Sequence, residues 1–99
     1  MVVTDPETLE YRRLDSELEA ALQASFTRRV HAELAGRTAP DWMRLEVATA
    51  RASTGERWLR LLSGEGTTWH VEWDLVIGTA SETASEFAAM LVSDLKTDE

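Results

Sequence analysis

TTWHVEWDLVIG, from Thr67 to Gly78, is the stretch whose reading decides the fold. Taken with a period of two, it places Trp69, Val71, Trp73, Leu75 and Ile77 on one side. Thr68, His70, Glu72 and Asp74 fall on the other, with Val76 as the exception. Alternation rich in aromatic and β-branched residues is the pattern of a strand with one buried face. Burial of five such side chains contributes about 10 kcal/mol gross, at roughly 2 kcal/mol each. The spacing therefore predicts a strand over 67–78, central to the core.

Working back from it, two short glycine-bearing loops set a register. Gly64-Glu65-Gly66 and Ser53-Thr54-Gly55 each suit a three-residue hairpin ending in a glycine free to take positive φ. Strands are then expected over 43–52, 57–63 and 67–78. Leu61 lies opposite Trp69 and Val47, and Leu59 lies opposite Val71 and Thr49. Arg57 faces Trp73, a cation–π arrangement. This register collects the apolar residues on one face, and a slip of one residue would scatter them. Residues 42–52 carry a competing signal, since Pro40 and Ala48, Ala50 and Ala52 would also suit a helix. The hairpin register favours the strand. Trp42 reads as a residue at the rim of the core.

Helices flank this meander. Asp5-Pro6 is a capped helix start and Gly36 a stop, giving an expected helix over 6–35. Tyr11, Leu14, Leu18, Ala21 and Leu22 form a stripe that continues as Phe26, Val30 and Leu34 in steps of four. Steps of four rotate the stripe, by roughly 200° from Leu14 to Leu34. One flat sheet cannot cover it. Either the helix breaks near residues 25–29, or its halves meet different partners, a second chain among the possibilities. Thr79-Ala80-Ser81-Glu82 matches a capping box. Ala84, Phe87, Ala88, Leu91 and Leu95 recur at helical spacing, so a second helix is expected over 80–95. The expected fold is α+β: a two-layer αβββα arrangement of long N-terminal helix, three-stranded antiparallel meander and C-terminal helix.

Composition narrows function more than it identifies it. Ninety-nine residues are read as one domain. The chain has no cysteine, which removes disulfides and thiolate metal sites. No apolar run is long enough to span a bilayer, and MVVTDPET lacks the basic head of a signal peptide. A cytoplasmic location is expected. The sparse lysine is the mark of a GC-rich genome. A net charge of −8 argues against direct nucleic-acid binding over a broad face. The charge is uneven: residues 28–60 hold seven arginines and four acids, and both flanking segments are acidic. That basic middle leaves room for a local anion site.

The polar side of the 67–78 strand is the sharpest constellation. His70, Glu72 and Asp74 would line up there, with Arg60 opposite His70 and Trp58 opposite Glu72. Such residues can serve general acid–base chemistry or a divalent metal. Side chains two apart on a strand stand about 6–7 Å apart at the backbone, which disfavours chelation, and no metal or cofactor is expected. The plainer reading is a row of cross-strand charge pairs. The glycines do not form a phosphate cradle, and no serine sits in a nucleophile-elbow context. Trp58, Leu62 and Val76 share this outer face, and exposed aromatic and aliphatic residues beside an arginine are interface material. The sequence is therefore read as a non-enzymatic protein-interaction module, an adaptor, regulator or inhibitor, self-associating as a homodimer. Its contact residues would be Trp58, Arg60, Leu62, His70, Glu72 and Val76. Two alternatives stand beside this reading. One is an acidic mimic of nucleic acid that inhibits a basic enzyme. The other is a small enzyme using His70 with Glu72 or Asp74.

Overall fold

A computed structural model describes residues 8–14 and 17–97, the side chains of residues 77 and 78 excepted. The expected start at Asp5-Pro6 and the last two residues lie outside them. The elements in order are β1 (Arg12–Arg13), α1 (Glu17–Leu34), β2 (Leu45–Arg51), β3 (Arg57–Ser63), β4 (Thr68–Glu72) and α2 (Trp73–Thr97). The fold is α+β, an N-terminal helix, a four-stranded antiparallel sheet and a C-terminal helix. The strand order is β1-β2-β3-β4.

The meander has the expected register. Val47 pairs with Leu61 and Thr49 with Leu59; Leu61 pairs with Trp69, Leu59 with Val71, Arg60 with His70 and Trp58 with Glu72. Both hairpins close as the glycines require. Ala52 N–H donates to the Glu56 carbonyl and Ser63 N–H to that of Thr67, with Gly55 at φ 102° and Gly66 at φ 93°. Gly64 is needed for another reason. A Cβ there would lie 2.9 Å from the Trp42 carbonyl oxygen, so the loop packs directly on the backbone leading into β2.

The decisive stretch divides in two. Residues 67–78 were expected as one central strand, yet the strand stops at Glu72, stands at the sheet's edge, and α2 starts at Trp73. The register supplies the reason. Trp73 would face Arg57, where β3 begins, so an extended chain beyond it would have no ladder partner for its N–H and C=O groups. A helix satisfies them internally. Trp73, Val76, Ala80, Ala84, Phe87 and Leu91 also follow helical spacing. Val76 is consequently in the core, 0% exposed, and Leu75, expected inside, is 63% exposed. Thr79 carries the kink (φ −136°, ψ 31°) between this first piece and the rest of α2, at the predicted cap. Its Oγ1 donates to the Leu75 carbonyl at 2.6 Å, and Thr83 Oγ1 donates to the Thr79 carbonyl at 3.0 Å.

The N-terminal helix is shorter than the expected 6–35. Arg12 and Arg13 pair with Thr49 and Ala48 of β2, and Leu14 N–H donates to the Val47 carbonyl at 3.1 Å. In a helix Tyr11 and Leu14 would share a face. In extended chain they point to opposite faces, so Leu14 enters the core and Tyr11 lies on the far side of the sheet. The free edge of β2 gains a partner at the same time. α1 itself is continuous through residues 25–29, and its rotating stripe is met by two partners in the same chain. Near its start Gln23 Nε2 donates to the Leu45 carbonyl at 2.7 Å. Further on, Phe26 meets Phe87 of α2, ring centres 6.1 Å apart, and Arg29 Nη1 donates to Ser85 Oγ. Both helices cover the same sheet face. Leu22, Phe26, Val30, Leu45, Val47, Leu59, Leu61, Phe87 and Leu91 form one buried cluster there, with Trp42, Trp69, Val71 and Trp73 packed at its rim. Among the described residues, no helix is long and apolar enough to cross a membrane.

Candidate functional site

The sheet face away from the helices carries Ala48 and Ala50 of β2, Trp58, Arg60 and Leu62 of β3, and Thr68, His70 and Glu72 of β4, by strict alternation with the core residues. Two alanines side by side on β2 leave a trough. Both are nevertheless buried, because β1 brings Tyr11 across them. The Tyr11 ring lies 5.7 Å from the His70 ring, tilted by 40°, and the Arg60 guanidinium carbon sits 4.4 Å above its centre. Arg60 and His70 are cross-strand partners, so Tyr11 clamps one pair. A guanidinium over an aromatic face is worth about 0.5–2 kcal/mol, depending on desolvation.

Tyr11 separates two depressions that share no lining residue. One, of about 380 Å³, wraps the free edge of β4 and is lined by Trp58, Trp69, His70, Val71, Glu72, Leu75 and residues of α2. The other, of about 550 Å³, lies by β1 and the start of β2 and includes Arg60 and Leu62. Trp58 Nε1, Arg60 Nε and His70 Nε2 are buried and lack a hydrogen-bond partner among the described residues. A buried polar atom without a partner costs about 1–3 kcal/mol, so this face keeps polar capacity that the sheet itself does not use.

The predicted contact residues are thus sorted into three places. Trp58, His70 and Glu72 line the β4 depression. Arg60 and Leu62 line the β1 depression. Val76 is withdrawn from any surface, because the helix that replaces the end of the predicted strand turns it into the core. The same change breaks the expected row of His70, Glu72 and Asp74. Asp74 is an exposed residue of the first turn of α2, off the strand that carries the other two. Among the described residues, no three histidines, aspartates or glutamates come together as a metal-binding group.

Four participants were not legible. Tyr11 was read as helix stripe, and the two-residue strand that positions it is too short to leave a period-two signal. Leu75 was counted as core. Arg12 and Arg13 were counted with the acidic N-terminal segment, and only pairing with β2 brings them beside Arg44 and Arg60. No family model, curated protein or solved structure compared with the chain matches it.

Proposed function

We propose that the chain is a small protein-interaction module that self-associates through the free edge of β4 and the depression beside it. One observation carries the reading: Leu75, 63% exposed, stands with Trp58, Trp69 and Val71 along a strand edge that has no neighbour in the sheet among the described residues. Aromatic and aliphatic side chains beside unpaired backbone groups are the material of strand-addition interfaces.

The edge is complementary to itself. Ser63 N–H bonds the Thr67 carbonyl, so the alternation of an antiparallel ladder turns the backbone groups of Thr68 and His70 away from β3. A second copy placed antiparallel about His70 would bond those groups. Thr68 would then stand opposite Glu72 of the second copy and Trp69 opposite its Val71. No like charges face each other directly. Two chains of −8 each still repel at longer range, and salt screens that repulsion. Self-association should therefore tighten with added salt, the reverse of what a charge-mimicking inhibitor of a basic enzyme would show with its target.

Sedimentation equilibrium tests this directly. The expected result is a monomer–dimer equilibrium that Leu75→Asp shifts to monomer. A chain that stays monomeric at high concentration in high salt, or a dimer that Leu75→Asp leaves unchanged, would overturn the reading.

A further inference from the structure

The depression beside β1 has a different character. Arg12, Arg13, Arg44 and Arg60 line it together with Glu19 and Glu46; on β1 the register sends Arg13 to the face of Arg60 and Arg12 to the other. Glu19 is engaged by Arg13 at 3.6 Å. Arg12 and Arg44 make no ion pair among the described residues, although the chain holds 18 acids and 10 bases. The groove thus sets four arginines against two carboxylates, an excess of positive charge in a chain that is acidic overall.

Backbone chemistry points the same way. β1 pairs with β2 only at Ala48 and Thr49, which leaves Leu45 to Val47 as the floor of the groove. The carbonyls of that floor are already used: Leu45 accepts from Gln23 and Val47 from Leu14 N–H. Arg60 Nε, by contrast, finds no acceptor among the described residues. The lining side chains carry more donors than acceptors, with Glu19 and Glu46 as the charged acceptors. Arginine forks match the paired oxygens of carboxylate and phosphate.

We infer that this groove binds a compact oxyanion ligand, a small molecule bearing two or more carboxylate or phosphate groups. Its volume, about 550 Å³, lies in the range of small-molecule sites. The overall charge decides against a long polyanion, which would run from the groove onto a surface of its own sign. The site is independent of the β4 edge, since the two depressions share no lining residue.

Isothermal titration with citrate and with inorganic phosphate tests the inference. Expected is saturable one-to-one binding of at least one of them, weakened by salt. Arg12→Gln and Arg44→Gln should each weaken it about tenfold, the scale of one charge-assisted hydrogen bond. Both side chains are exposed, so neither variant should lower the melting temperature appreciably. Arg28→Gln, an exposed position of α1 outside the groove, should leave binding unchanged. Absence of saturable binding by both probes, equal weakening by Arg28→Gln, or no weakening by the two groove variants would overturn it. A poly-glutamate peptide binding more tightly than citrate would overturn the small-molecule assignment.

Discussion

Residues 67–72 and 73–78 were read as one alternation with Val76 as its single break, yet the first half holds the strand Thr68–Glu72 and the second begins a helix. The two halves differ in what lies beside them. β3 offers ladder partners as far as Trp58 for Glu72, and past Arg57 the chain turns into a hairpin loop. The lesson is that a period-two pattern states which side chains prefer to be hidden. Whether the backbone can stay extended depends on a neighbour to bond with.

The sharpest way to break this comparison is to place the same charge at adjacent positions in the second half. Val76→Asp should cost at least about 3 kcal/mol, because it leaves an unpaired carboxylate in the core. Leu75→Asp should change monomer stability by no more than about 0.5 kcal/mol. Urea unfolding at low protein concentration reads both, and the opposite order would restore the continuous strand. A smaller effect is expected at the kink. Thr79→Ala removes the hydroxyl that donates to the Leu75 carbonyl and should cost about 1 kcal/mol, the net worth of one hydrogen bond. Amide exchange should quicken over residues 73–78 more than over the rest of α2. The smallest effect belongs at the joint between the halves. The Arg57 guanidinium carbon lies 4.0 Å from the centre of the Trp73 ring, so Arg57→Ala should cost about 0.5–1 kcal/mol. Indole fluorescence should change, and the melting temperature should fall by about 2–6 °C.

The candidate site was legible unevenly, and the reasons are physical. Trp58, His70 and Glu72 were placed on one face because register follows from hairpin length and that face from alternation. Val76 was misplaced because alternation was carried past the point where β3 ends. Tyr11 and its neighbouring arginines were missed because an edge strand two residues long is held by its partner, and nothing local announces it. The basic middle segment was read only as leaving room for an anion site; of the four arginines that line the β1 groove, Arg44 and Arg60 belong to that segment and Arg12 and Arg13 to β1.

By itself the chain determined the meander. Two glycines able to take positive φ close the hairpins, and the apolar residues fit one register only. It determined the stop of α1 at Gly36 and the core-facing stripe of α2 for the same local reasons. Only the tertiary structure decided where β4 ends, which side of the sheet Tyr11 crosses, and that the later part of the rotating stripe of α1 packs on α2. Each of those depends on whether a backbone edge or an apolar face finds a partner elsewhere in the chain, and a periodic pattern does not carry that information.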